Sequence, residues 1–150
     1  MAGDLETYFA GSTLSRDLLD LIKGDRLGEG SARQVFRYAL HDDLVVKFET
    51  GAASFQNAVE WELWGWAKDT PMERWLAPCR RISACGTILI QDRCEPLPKR
   101  LIPKKLPAFL NDTKVENFGV LKGRVVCCDY GIAIAAIRRS SRRMVKASWT

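Results

Sequence analysis

The sequence predicts an α+β fold: an antiparallel sheet with one main helix, then a hairpin preceded by a polar loop, then a short helical C-terminus. Three observations predict it. Short β-branched and apolar runs broken by glycine and turn residues fill residues 25–49 and 80–91. One segment of helical period, residues 54–68, lies between them. A further pair of short apolar runs, joined by Lys122-Gly123, follows a proline-rich stretch. At 150 residues the chain is read as one domain, and a hydrophobic fraction of 47% supports a real core.

Each element has a local reason. TLSRDLLDLIK, residues 13–23, places Leu14, Leu18, Leu21 and Ile22 at helical spacing, with Gly24 as the stop. DRLGEGSARQVFRYAL then reads as strand, glycine turn, strand. His41-Asp42-Asp43 is a turn, and LVVKFE, Leu44 to Glu49, is a third strand. In residues 54–68, Ser54 is the expected N-cap, while Phe55, Val59, Leu63 and Trp66 line one face and Pro71 ends the segment. RRISACGTILIQ gives two more strands around Gly86. Four of the six prolines fall in CEPLPKRLIPKKLP, which predicts a linker or hinge with little regular structure. A short helix-like piece is expected before Asn111. FGVL and RVVCCD form a hairpin in which Gly123 supplies positive φ. From Ile132 the chain turns small and apolar, then basic, and a helix is expected.

Composition excludes several classes. The five cysteines are odd in number and contain no C-x-x-C, so reduced thiols are expected rather than disulfides or a zinc knuckle. The single histidine, His41, sits in a turn, which argues against Ser-His-Asp and Cys-His hydrolases and histidine-rich metal sites. No run reaches membrane-spanning length, and MAGDLETYFAGS lacks the apolar core of a signal peptide, so a soluble, cytoplasmic chain with no membrane partner is expected. The net charge of +5 owes much to RRSSRRMVK, residues 138–146. A basic tail favours anionic partners. Its Arg-Arg-Ser-Ser also has the form of a basophilic phosphorylation site at Ser140 or Ser141.

Three features carry chemistry. Gly28, Gly30 and Ser31 form a glycine turn between two strands, with Val35 just beyond. Such a turn lets backbone N–H groups approach a phosphate, though most G-x-G pairs are plain turns. The Rossmann form needs a helix next and the Walker form needs Gly-Lys-Ser/Thr; neither is present. Lys47 lies mid-strand between Val46 and Phe48. It is either a solvent-face lysine or a cation aimed at phosphates, and in the second case it needs a carboxylate partner, Glu60 or, failing that, Glu62. The third feature is Asp112-Thr-Lys114-Val-Glu116-Asn117, followed after a hairpin by Asp129-Tyr130-Gly131.

On these residues the chain resembles the protein kinase-like family, whose catalytic loop reads D-x-K-x-x-N and whose magnesium turn reads D-F-G. The order also agrees, from glycine turn through strand lysine, helix glutamate and hinge to catalytic loop and magnesium turn. GEGSARQVF…VVKF…QNAVEW…ENFGV…DYG is similar to small kinase-like proteins of phages and bacteria. The resemblance spans residues 26–131 and implies one truncated kinase-like domain. Residues 1–23 would be a helical extension, 24–95 a kinase-like N-lobe, 96–131 hinge and catalytic hairpin, and 132–150 a basic tail. It implies ATP and Mg2+ as cofactors. Gly28, Gly30, Ser31 and Val35 would cover the nucleotide. Lys47 would bind the α/β-phosphates and pair with Glu60, while Gln91, Arg93 and Glu95 would lie in the hinge beside adenine. Asp112 would accept the hydroxyl proton, Lys114 would steady the γ-phosphate, and Asn117 and Asp129 would hold magnesium.

The departures are as specific. Arg33 stands at the third glycine position of the loop, Leu110-Asn111 replace His-Arg before Asp112, and no A-P-E motif follows Gly131. Residues 132–150 leave room for neither an ordinary activation segment nor a helical lobe to hold a peptide. Three functions follow as expectations. The first is a minimal ATP-dependent kinase acting on Ser/Thr or a small hydroxyl. The second is a weak or inactive kinase-like module that binds a protein, such as the host protein of a phage, through Trp61, Trp64, Trp66, Trp75 and Trp149. The third, ranked last, is nucleic-acid binding through the basic tail.

Overall fold

A computed structural model describes residues 12–51, 54–131 and 142–150, with side chains from Arg16 onward. The chain divides into two compact units: residues up to Ala58 with Cys79–Asp92, and Val59–Pro78 with Arg93–Thr150. The expected α+β class and antiparallel sheet are both found. Among the described residues no helix is long and apolar enough to cross a membrane. The Arg-Arg-Ser-Ser motif and most of the expected terminal helix lie outside the described residues.

The first unit opens with α1 (Ser12–Ile22), followed by β1 (Lys23–Glu29), β2 (Arg33–Tyr38) and β3 (Leu44–Glu49). After an excursion through the second unit it closes with β4 (Cys79–Ile82) and β5 (Ile88–Asp92). The five strands form one antiparallel sheet in the order β1-β2-β3-β5-β4. Leu19 and Ile22 of α1 pack on Phe36, Val46, Phe48 and Ile88, with Leu18 and Tyr38 at the margin. Burial of these apolar side chains holds α1 to one sheet face. Gly24 does not stop α1. The helix passes straight into β1, and Gly24 lies inside that strand. His41 occupies the expected turn, stacked on Tyr38.

The helix α2 (Gln56–Ala67) follows β3, and its start differs from the sequence expectation. Phe55 takes a positive φ of 54° and is exposed, so it precedes the helix and does not line its face. The Ser54 hydroxyl, buried, has no hydrogen-bond partner among the described residues. The Glu49 carboxylate takes the capping role instead, accepting the Asn57 N–H at 2.7 Å. A carboxylate there satisfies an orphan helical N–H and favours the positive end of the helix dipole. Within α2, Val59 and Leu63 are buried as expected. The helix ends before Pro71, where Asp69 turns left-handed at φ 62°.

In the second unit, β6 (Glu95–Pro96), β8 (Phe118–Leu121) and β9 (Arg124–Cys127) form a three-stranded antiparallel sheet. The β8–β9 turn is the expected one, with Lys122 and Gly123 both at positive φ, 49° and 76°. Gly119 is required by close approach, because a Cβ there would lie 2.6 Å from the Cys94 Cβ and 2.7 Å from the Glu95 carbonyl oxygen. The proline-rich stretch is more ordered than expected. It contributes β6, a 3-10 turn at Lys99–Leu101 and the strand β7 (Lys105–Pro107). β7 pairs with β10 (Met144–Lys146), so the described end of the chain is a strand and not the expected helix. The bond from the Ala108 N–H to the Arg143 carbonyl and that from the Ala147 N–H to the Lys104 carbonyl extend this pairing at both ends. A backbone partner from a distant segment outweighs local helical preference here.

Candidate functional site

In the first unit the glycine turn is a tight hairpin. Glu29 pairs with Gln34 across it, and the Gly30 N–H donates to the Arg33 carbonyl at 2.8 Å. Neither Gly28 nor Gly30 has a positive φ, and a Cβ at Gly28 would meet nothing within 4 Å. The chain's own packing therefore does not demand glycine at these positions. Ser31 is exposed at the tip, and Val35 pairs with Lys47. Lys47 is only 3% exposed, which overturns the reading of a solvent-face lysine. It alternates with Val46 and Phe48, which face α1, and so points to the opposite sheet face beside its neighbours Val35 and Leu89. Gln91 is fully buried in β5 and donates its Nε2 to the Cys79 Sγ. Asp92 accepts a fork of two bonds from Arg80, 2.5 and 2.6 Å, which raises the guanidinium pKa further.

The Arg33 departure has a structural reason. Its side chain is buried, and Nη1 donates to the Asn57 Oδ1 at 3.1 Å. Asn57, fully buried, donates its Nδ2 to the carbonyls of Lys47, 3.2 Å, and Thr87, 2.9 Å. One amide thus joins the end of the glycine hairpin, the lysine strand and the turn before β5. Reading the sequence missed Asn57. The available signal was a small amide in the first turn of the helix.

In the second unit the polar loop closes on itself. Asn117, buried at the end of a 3-10 turn, accepts with its carbonyl the N–H groups of Cys128 at 2.7 Å and Asp129 at 3.2 Å. Its Nδ2 donates to the Asp112 carbonyl at 3.2 Å. Lys114 Nζ stands 4.0 Å from the Asp112 carboxylate, and the Asp129 side chain is exposed. Main-chain and side-chain bonds of Asn117 therefore tie the loop of Asp112 and Lys114 to the turn of Asp129. Glu60, not Glu62, is the buried carboxylate of α2. It accepts the Tyr130 N–H at 3.0 Å, and the Tyr130 hydroxyl donates to the Ala77 carbonyl at 2.7 Å. Tyrosine in place of phenylalanine thus anchors the D-Y-G turn to the segment before β4. Burial pushes the Cys127 thiol well above its ordinary pKa, and the nearby Cys128, Glu60 and Asp129 push the same way.

The remaining expected residues are distributed between the units. Arg93 and Glu95 belong to the second unit, Glu95 in β6 opposite Val120, whereas Gln91 belongs to the first. Lys47 and Glu60 likewise fall in different units. Among the described residues no three of His, Cys, Asp and Glu form a group that could hold a metal ion. Comparison with protein-family models finds no match, and comparison with curated proteins finds none either.

Proposed function

We propose that the chain is a minimal kinase-like phosphotransferase that binds ATP with Mg2+ and moves the γ-phosphate to a Ser/Thr or small-molecule hydroxyl. The observation that carries this reading is the bonding of Asn117. Its carbonyl gathers the N–H groups of Cys128 and Asp129 while its amide nitrogen holds the Asp112 carbonyl. This commits the amide nitrogen to the loop and leaves the amide oxygen, a hard donor, for a cation. With the exposed Asp129 carboxylate it suits magnesium, which is commonly held by one or two protein oxygens plus phosphates. Bound there, the metal would neutralise charge on the phosphate oxygens. Asp112 would take the hydroxyl proton, and the exposed Lys114 beside it would meet the γ-phosphate. A lysine on the third strand and a buried glutamate on the following helix are the positions such chemistry uses.

The binding-module alternative rested on surplus tryptophans, and none of the five is fully exposed. Trp66 packs on Phe109 and Trp149 on Phe118, which are structural duties. Calorimetric titration with ATP and Mg2+ tests the enzyme reading, together with radiolabel transfer to a mixed hydroxyl-bearing substrate panel. Wild type should bind, and Asp129→Ala should transfer at least about a hundredfold more slowly. No heat of binding at millimolar ATP would sink the proposal.

A further inference from the structure

The β7–β10 pairing brings together two cationic segments that are far apart in sequence. Residues 96–111 contain Lys99, Arg100, Lys104 and Lys105 and no Asp or Glu. Residues 142–150 contain Arg142, Arg143 and Lys146, again without Asp or Glu. Lys105 and Lys146 are direct cross-strand partners, so their Cβ atoms lie about 5 Å apart on one face of the ribbon. Like charges at that position oppose pairing. Lys104, Arg142 and Arg143 flank them, and all five are exposed. Among the described residues, none of these five makes an ion pair.

The ribbon also leads directly to the candidate base. Leu110 N–H turns back to the Pro107 carbonyl at the end of β7, two residues before Asp112. On the β10 side, the Thr150 N–H donates to the Thr113 carbonyl, and the Thr113 hydroxyl donates to the Ser148 carbonyl. Both strands of the ribbon are thus tied to the loop that carries Asp112 and Lys114.

From this we infer that the β7–β10 ribbon is a docking face for an acidic peptide segment, which brings an acceptor hydroxyl to Asp112. The delivery to Asp112 rests on the kinase-like reading; the docking does not. Two observations favour a peptide over a nucleic acid. Met144 and Val145 are exposed among the cations, a mixture that suits a chain bearing both carboxylates and apolar side chains. The nearest ring that bases would stack on, Trp149, is committed. Its Nε1 donates to the Pro103 carbonyl at 2.8 Å, and its ring meets Phe118 edge-on at 4.9 Å. Base stacking on free aromatic faces is the usual mark of a single-strand binder.

The test is fluorescence anisotropy without nucleotide, using a labelled peptide of alternating Glu, Leu and Ser and a labelled single-stranded DNA of equal charge. The wild type should bind the peptide more tightly than the DNA. Lys105→Glu/Lys146→Glu should weaken peptide binding at least about tenfold, while Lys68→Glu, an exposed control in the turn after α2, should leave it unchanged. The single variant Lys105→Glu removes the like-charge pair, so its melting temperature should hold or rise, which separates lost docking from lost folding. Equal binding by wild type and the double variant would overturn the inference, as would tighter binding to DNA. A wild type that binds peptide but gives no heat with ATP would leave the docking face standing and remove only the kinase-like reading.

Discussion

In the first unit three polar side chains are buried: Lys47 at 3% exposure, Arg33 at 3%, Asn57 at zero. In the second, Asp129 is exposed and the Asp112 side chain is 27% exposed, while the buried positions around them hold Asn117, Cys127 and Tyr130. A buried polar group is tolerable only when its bonds are made. In the first unit, then, polarity is tied to the integrity of the sheet. In the second, the carboxylates are reached by solvent, while the main-chain groups of Asp112 and Asp129 take part in closing the loop on Asn117. Stability and chemistry should therefore separate in the second unit and remain joined in the first.

The largest effect that would break this contrast is at Asn57. Asn57→Ala removes one acceptor of a buried guanidinium and a donor to two carbonyls. The expected cost is about 3 kcal/mol or more in urea unfolding. Asp129→Ala is its counterpart in the second unit. The substitution that should stop transfer should change unfolding by no more than about 1 kcal/mol, because Asp129 is solvent-exposed and its N–H bond to the Asn117 carbonyl is kept. A cost under about 1 kcal/mol at Asn57, or a large one at Asp129, would erase the distinction.

The same contrast explains what was legible in the sequence. Lys122-Gly123 announced its hairpin because the two positive φ values are local demands, and the β-branched run Leu44 to Glu49 announced its strand. The loop from Asp112 to Asn117 and the turn at Asp129 lie close in sequence, so their association could be read from spacing. The bond from Arg33 to Asn57 spans 24 residues, and that from Tyr130 to Ala77 spans 53. No propensity encodes such pairs; only the packed fold brings them together. The capping of α2 shows the same competition at short range. Ser54 had the right chemistry and position, yet Phe55 at positive φ and the reach of Glu49 from β3 gave the role to another side chain. The strand Met144–Lys146 was missed because its reason for being a strand is β7, nearly forty residues earlier.

A smaller effect sharpens the account of the D-Y-G turn. Tyr130→Phe keeps the buried ring and deletes the bond to the Ala77 carbonyl, leaving that acceptor short of one partner. About 1 to 1.5 kcal/mol should be lost in urea unfolding. ATP affinity should change little, since the Tyr130 N–H bond to Glu60 is retained. If affinity falls tenfold while stability holds, the hydroxyl does more than anchor the turn.

The smallest effect at neutral pH concerns Cys127, and it grows only in alkali. The folded chain keeps this thiol protonated well above its ordinary pKa, mainly because burial penalises the thiolate. The unfolded thiol ionises from roughly pH 8.5. Below that pH both states hold the proton and the group adds no slope. Above it the unfolded chain binds fewer protons than the folded one, so stability falls as pH rises, by at most about 1.4 kcal/mol per unit for this group. Urea midpoints at about pH 7 and about pH 10 for wild type and Cys127→Ala isolate the contribution, because every other titrating group is common to both chains. The variant should start less stable and lose less on going to high pH. Parallel losses would mean that the thiol reaches water in the folded state, and the support beneath Asp129 would then be as open as its surface.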